Sequence, residues 1–444
     1  MTGLKRRFWT SGRWRGAALA AVASVALSGC ATYPYSPPAL PPVTAAAPVA
    51  AMTEAREPVT ILIGVDGLRP DYLDRGVTPV LSRLAREGAS GPMRPSFPSK
   101  TFPNFWTLVT GLRPDRHGLV ANRMEDPARP GETFTMATDD PFWWNAAEPI
   151  WVTAERAGVP TAVGSWPGGN VAWGGARAAE WPHKLTGGLR PRDWHGYAGA
   201  QTGEQRVRSI VDWLRRPVGE RPRFLTLYFD VVDTVGHEHG PEDPRTTAAV
   251  AQVDATIGGL VDSLRALGQP ANLVIVADHG MVATSSERTI ALDRILPATD
   301  ARTIETGPYA TFVPLPGREA EVAGALLRPH PHMICWRKAQ IPARLHYGRN
   351  PRVPPFLCLA EPGWEIVRTA PMRADVGGEH GYDPAAPSMQ ALFLAHGPAF
   401  RAGVRVSAFD NVAVAPLLRD LLGLPAGAGL DGDTRPFRRA LKGR

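Results

Sequence analysis

From Val59 to Val65 every position is apolar, β-branched or glycine, with no polar alternation. Such a run predicts a strand buried on both faces, the habit of parallel sheets. Phe224–Asp230 and Ala271–Ala277 repeat the pattern, and Met389–Ala395 adds a late strand. Between the second and third runs, Val250, Val253, Ile257, Leu260, Val261, Leu264 and Leu267 recur at helical spacing, which predicts a helix packed on a sheet. A shorter helix is predicted around Pro79–Glu87, with Val80, Leu81 and Leu84 on one side and Gly88 as its stop. Asp410 stands where it would cap a last helix carrying Val412, Val414, Leu417, Leu418 and Leu421. Strands alternating with helices predict an α/β fold, a central mostly parallel sheet flanked by helices. No internal repeat is visible.

Two stretches depart from this rhythm. Residues 123–200 place Trp143, Trp144, Trp151, Trp166, Trp173, Trp181 and Trp194 among glycines and prolines, which reads as long loops roofing a pocket. Residues 285–375 are rich in Pro and Arg and are expected to form a smaller inserted lobe. The main domain is expected over 58–430, with 431–444 as a C-terminal tail. Residues 30–57 hold Pro34, Pro37, Pro38, Pro41 and Pro42 and read as a semi-rigid tether.

Ahead of the tether, residues 1–29 carry Lys5, Arg6, Arg7, Arg13 and Arg15, no acid, and an apolar run over 16–26. The run is short for a membrane span and the right length for a signal-peptide core. Leu27-Ser28-Gly29-Cys30 resembles the bacterial lipoprotein signal, in which the cysteine becomes the acylated N-terminus. Export to the periplasm and a lipid anchor are therefore expected, with Ala31 after the cysteine favouring the outer membrane. Arg6-Arg7-Phe8 also resembles a twin-arginine signal, so the export route stays open.

The leader changes the reading of charge. The chain of 444 residues has a formal net charge of +7, yet beyond residue 29 there are 44 basic against 42 acidic groups. That balance gives no bulk attraction to duplex nucleic acid, and no basic stripe interleaved with aromatics is present. Oligomeric state is not legible. Cys335 and Cys358 are the cysteines left after Cys30. In an oxidising compartment they can close a disulfide, the alternative being two buried thiols.

The candidate chemistry lies at the ends of the predicted strands. Asp66 and Asp278 each directly follow one, and Asp233 comes just after a third. Open α/β sheets bind ligands beyond the carboxyl ends of their strands, so topology brings these motifs to one edge. Asp233 and His237 are four apart, which suits a tight turn or one helical turn, and Asp278 and His279 are adjacent. With His380 the donors mix carboxylate and imidazole, a set that favours zinc, manganese or iron over magnesium and calcium. The hydroxyl of Thr101 is available as a nucleophile.

The motifs run Val65-Asp66-Gly67-Leu68-Arg69, Pro98-Ser99-Lys100-Thr101-Phe102-Pro103-Asn104, Thr110-Gly111-Leu112-Arg113-Pro114 and His117-Gly118-Leu119-Val120-Ala121-Asn122. They continue with Tyr228, Asp233-Thr234-Val235-Gly236-His237, Ala277-Asp278-His279-Gly280-Met281 and Gly378-Glu379-His380-Gly381-Tyr382. This series resembles the nucleotide pyrophosphatase/phosphodiesterase family of the alkaline phosphatase superfamily, in family order over roughly 58–425. The resemblance implies an alkaline phosphatase-like sandwich and two zinc ions. Asp66, Thr101, Asp278 and His279 would hold one, and Asp233, His237 and His380 the other. Thr101 would be the catalytic nucleophile, forming a covalent intermediate. Asn122 would donate to a phosphate oxygen, and Phe102 and Tyr228 would flank a nucleobase, with Lys100 either contacting substrate or solvated. The implied substrate is a nucleotide or dinucleotide, cut to a nucleoside 5′-monophosphate. A lysophospholipid or choline phosphodiester, or a phosphomonoester, is the alternative.

Overall fold

The strand Val59–Val65 is buried at all seven positions and lies at the centre of the main sheet. The computed structural model describes residues 55–197, 199–370 and 376–443, so the expected leader, Cys30 and most of the tether lie outside the described residues. Val59–Val65 pairs in parallel with Ala271–Val276 on one side and Phe224–Phe229 on the other. The sheet runs in the order Val404–Arg405, Ala89–Arg94, Ala391–His396, Ala271–Val276, Val59–Val65, Phe224–Phe229, Thr161–Gly164 and Asp193–His195. Ala391–His396 runs antiparallel to both of its neighbours, and the remaining pairings along this path are parallel. Fully burying each Val, Leu or Ile of the central strands contributes about 1.5–3 kcal/mol, which is why these segments tolerate no polar alternation.

The helices follow the predicted faces. Pro79–Arg86 buries Leu81 and Leu84, and Pro244–Ala266 buries Val250, Val253, Ile257, Leu260 and Leu264. The Asp254 carboxylate ties the two together by accepting from the N–H groups of Val80 and Leu81 at 3.1 and 2.7 Å. The last helix, Val414–Leu422, corrects the expectation for Asp410, whose side chain makes no cap hydrogen bond. Its carboxylate instead bridges Arg94 and Arg113, at 2.5 and 2.8 Å.

Residues 123–200 are more than loops. They contribute the helix Ile150–Arg156 and the strands Thr161–Gly164 and Asp193–His195, too short and small to announce themselves by pattern. Trp143, Trp144, Trp151 and Trp166 pack in the core, whereas Trp181 is 84% exposed. Residues 431–443 pack onto the domain as well. Phe437 is buried against Phe393 and Phe409, so the segment is not a free tail.

Within 285–375 a four-stranded antiparallel sheet forms in the order Ala301–Glu305, Tyr309–Pro314, Phe356–Ala360, Met333–Arg337. It has its own core, built on Ala310, Phe312, Val322, Leu326, Met333 and Phe356. Just beyond it, Val376–Glu379 pairs with Val282–Ser285 in a separate two-stranded sheet that leads directly to His380. Cys335 and Cys358 stand opposite each other on neighbouring strands and form a disulfide. Closing a loop of this size stabilises a fold by about 3 kcal/mol. Replacing both cysteines by serine is expected to lower unfolding free energy by about that amount in urea titrations, and a parent chain treated with reductant should shift equally.

Candidate functional site

Three carboxylates reach one space because three parallel strands end there. Asp66 follows Val59–Val65 directly, and Asp278 follows Ala271–Val276 after one residue. Asp233 and His237 lie on the helix Val231–His239, which begins two residues beyond Phe224–Phe229, so the helical alternative for this pair holds. Gly67, at φ 68°, turns the chain beside Asp233 and gives its N–H to Asp278 Oδ1 at 3.3 Å. A Cβ there would press on Asp233 at 3.3 Å, in a backbone conformation that L side chains rarely adopt.

Thr101 opens the helix Thr101–Thr110, every residue of which is buried. The segment before it is held by Asn104, whose Nδ2 donates to the carbonyls of Pro98 and Lys100 at 2.9 and 2.8 Å. Asn104 Oδ1 accepts from the N–H of Ser96 and from Asn411 Nδ2, at 2.7 and 2.9 Å. All its hydrogen-bonding capacity thus goes into fixing the hydroxyl's place. The Thr101 Oγ1 is 3.3 Å from His279 Nε2.

The three histidines share one second contact. Nδ1 of His237 faces the Gly378 carbonyl at 2.7 Å, that of His279 the Gly280 carbonyl at 2.9 Å, and that of His380 the Ser99 carbonyl at 2.8 Å. A carbonyl oxygen can only accept, so each Nδ1 carries the proton and each Nε2 turns a lone pair into the site. This is how proteins fix imidazoles that ligate metals. His237 and His380 then oppose two Nε2 atoms at 3.1 Å, while His279 Nε2 lies 2.8 Å from Asp278 Oδ2 and 3.3 Å from Asp66 Oδ1. Asp66 Oδ1, Asp233 Oδ1 and Asp278 Oδ2 are buried without a hydrogen-bond partner.

Facing lone pairs and orphaned anionic oxygens in a buried space require positive charge. Burial, then Asp278 and Asp233, push the Asp66 pKa well above its ordinary value, and burial raises that of Asp233. Burial, then His279, holds His380 well below the imidazole range. Burial also acts to lower His279, but Asp278 together with Asp233 and the Gly280 carbonyl more than offsets it, and a proton there competes with a cation for the same lone pair. The donor set fits divalent cations. Ligand atoms lie within 4.8 Å of one another in three groups: Asp66, Asp278 and His279; Asp233, His279 and His380; His237, Glu379 and His380. The expected ligands Asp66, Thr101, Asp278, His279, Asp233, His237 and His380 are therefore brought together, and Glu379 joins them.

The substrate-contact residues fare differently. Asn122 Oδ1 accepts the Phe102 N–H at 3.0 Å, which leaves its Nδ2 to donate elsewhere. Lys100 is not solvated, for its Nζ pairs with Glu379 at 3.0 Å. The base-flanking role expected of Tyr228 is corrected. Its ring is 1% exposed, and its hydroxyl donates to Asp66 Oδ2 at 2.6 Å, so it braces a carboxylate of the cluster. Phe102 is equally buried, ringed by Phe134, Trp144 and Tyr197. Tyr197 is the partly exposed member, edge-on to Phe102 at 4.9 Å and 3.3 Å from Tyr228 through the hydroxyls. It sits in a glycine-rich loop just after a three-residue strand, where no sequence pattern marks it.

The family model described as type I phosphodiesterase / nucleotide pyrophosphatase matches residues 60–383. The chain is 34% identical over 388 residues to mouse ectonucleotide pyrophosphatase/phosphodiesterase family member 1, covering 84% of this chain and 41% of that protein. It therefore spans about two fifths of that relative's length. Identity is 35% over 376 residues with the bis(5′-adenosyl)-triphosphatase of Xenopus laevis, covering 84% and 79% of the two chains. The solved human ectonucleotide pyrophosphatase/phosphodiesterase 5 superposes with a TM-score of 0.80 at 32% identity, covering 86% of this chain and all of that one. An inactive threonine-to-alanine form of the murine protein, in complex with AMP, superposes with a TM-score of 0.77 at 33% identity, over 84% and 96% of the chains. These likenesses take in the whole convergent cluster, and the chain belongs to the type I phosphodiesterase / nucleotide pyrophosphatase family.

Proposed function

We propose that the chain is an exported hydrolase of nucleotide phosphodiester or pyrophosphate bonds that releases nucleoside 5′-monophosphates, using two zinc ions and a covalent threonine intermediate. The observation that carries the reading is the convergence of three lone-pair-bearing Nε2 atoms and three orphaned carboxylate oxygens, with His279 Nε2 3.3 Å from the Thr101 hydroxyl. Zinc held by Asp66, Asp278 and His279 with Thr101, and by Asp233, His237 and His380, would supply Lewis-acid charge and lower the pKa of a nearby hydroxyl. A free threonine hydroxyl is a weak nucleophile, so that help is needed. Thr101 Oγ1 gives its proton to solvent and attacks phosphorus, forming an Oγ1–P bond as the bond from phosphorus to the leaving oxygen breaks and that oxygen takes up a proton from water. Water then attacks phosphorus, the Oγ1–P bond breaks, and the hydroxyl is restored.

The chain's own groups set the geometry. Thr101 stands at the start of a ten-residue helix, where N–H groups favour an anionic phosphoryl group. Asn122, anchored through its Oδ1, directs its Nδ2 as a neutral donor suited to a diester's single charge. The complex of the murine relative with AMP supports a nucleotide as substrate, and Tyr197 beside Phe102 offers an aromatic surface for its base. Tyr228 acts one step back, by holding Asp66 in place.

The leader belongs to the same proposal. Cys30 is acylated after export, and the enzyme works from the periplasmic side of the outer membrane on nucleotides outside the cytoplasm.

Thr101→Ala is expected to lower turnover of bis-(p-nitrophenyl) phosphate at least 1,000-fold, a loss of about 4 kcal/mol of transition-state stabilisation. Metal content measured by plasma mass spectrometry should stay near the parent value, and a variant turning over at the parent rate would refute the nucleophile. Dialysis against a chelator should abolish activity, with zinc restoring it; full activity in a demonstrably metal-free sample would end the two-zinc reading. Cells fed labelled palmitate should label the parent chain and not Cys30→Ser, and equal labelling of both would exclude acylation at this cysteine.

A further inference from the structure

Asn122 lies in an irregular stretch between the short helix Pro114–His117 and the strand Met124–Glu125, so no helix or ladder of its own fixes its amide. Its place is set by two other parts of the chain. On one side stands His117, fully buried. Its Nδ1 accepts the Leu119 N–H at 3.1 Å, so its Nε2 carries the proton and points to the Pro103 carbonyl at 3.1 Å. That ring ties the start of the stretch to the helix Thr101–Thr110.

The other side is held by residues 347–352, which precede the strand Phe356–Ala360 of the small sheet. The Asp115 carboxylate accepts the N–H groups of Gly348, Arg349 and Asn350 at 3.0, 2.7 and 3.2 Å. The Tyr347 hydroxyl donates to the Val120 carbonyl at 2.9 Å. Arg352 then reaches both flanks of Asn122. Its Nη1 donates to the Gly118 carbonyl at 2.8 Å, and its Nε to Asp126 Oδ2 at 2.6 Å. Nη1 and Nη2 also donate to the carbonyls of Trp143 and Phe142, at 2.8 and 3.2 Å.

These contacts are buried. Arg352 and Asp126 are each 8% exposed, so solvent neither screens the pair nor replaces its hydrogen bonds cheaply. The carbonyls of Gly118 and Val120 receive donors from side chains, which is how an irregular buried backbone is satisfied. A Cβ on Gly118 would stand 3.1 Å from Arg352 Nη1, so a glycine, here at φ 82°, admits the guanidinium.

We propose that Arg352 and Tyr347 are positioning residues, which fix the backbone on both sides of Asn122 and so hold its Nδ2 ready for the phosphoryl oxygen. The inference rests on the phosphodiesterase reading above and gives the segment 285–375 a part in turnover, through side chains that act on the Asn122 backbone. A donor aimed at developing charge is effective only when its place is fixed beforehand. Loosening it therefore lowers kcat and leaves KM in place.

The test is a double-mutant cycle on the purified full chain, with bis-(p-nitrophenyl) phosphate as substrate and bound metal measured in every sample. Asn122→Ala alone is expected to lower kcat about 100-fold. Arg352→Lys keeps a cation beside Asp126 but loses the planar fork, and should lower kcat about ten-fold with KM unchanged. Tyr347→Phe removes one donor and keeps the ring; it should lower kcat about three-fold, and serves if Arg352→Lys does not fold. In the Asn122→Ala background either change should cost less than about two-fold, because the group it positions is gone. An undiminished loss in that background overturns the inference, as does parent-level turnover by the folded variants or a fall that tracks lost metal. Parent-level turnover by Asn122→Ala overturns the inference alone. A parent chain that leaves the ester uncut overturns the phosphodiesterase reading and the inference with it.

Discussion

Asp66, Asp233 and Asp278 each hold an unpartnered oxygen in a buried space that three imidazole lone pairs also face. Such an arrangement is unfavourable by itself, because burial and mutual repulsion both penalise the charged carboxylates. It persists because the surrounding fold allows these side chains no other direction. Binding of divalent cations would turn this cost into affinity, and the same cations would activate the Thr101 hydroxyl. The donor set therefore links the folding of the site to its chemistry.

The scaffold earns that rigidity from the central sheet. Strands buried on both faces fix where Asp66 and Asp278 emerge, and the short link to Val231–His239 fixes Asp233 and His237. Thr101 depends on a different device. Asn104 saturates its amide on the turn before the helix, and Asn411 locks Asn104 from the far end of the chain. His380 directly follows the strand Val376–Glu379, which pairs with Val282–Ser285, so one short segment delivers both His380 and the Glu379 carboxylate that holds Lys100.

The seven prospective ligands were legible because each sits next to a strong local signal: a strand end, a Gly turn or a tight motif. What escaped pattern reading were residues whose roles depend on who faces them. Tyr228 lies in an apolar strand and takes a base-flanking role only by resemblance, yet its hydroxyl reaches Asp66, 162 positions away. Tyr197 lies among glycines with no periodicity, and only the neighbouring Phe102 gives it a use. Asp410 looked like a helix cap because caps are local, and two arginines distant in sequence claimed it instead. Phe437 looked like tail because its partners Phe393 and Phe409 are brought together by the sheet edge.

The sequence by itself determined the parallel α/β core, the strand ends that carry Asp66 and Asp278, and the chemical identity of the donors. Hydrophobic period and donor chemistry are properties of neighbouring residues, so they survive without coordinates. Only the tertiary structure decided the protonated face of each imidazole, the bracing of Asp66 by Tyr228 and the pairing of Lys100 with Glu379. Those facts depend on hydrogen-bond directions and charge separations between residues far apart in the chain, and no local pattern encodes them.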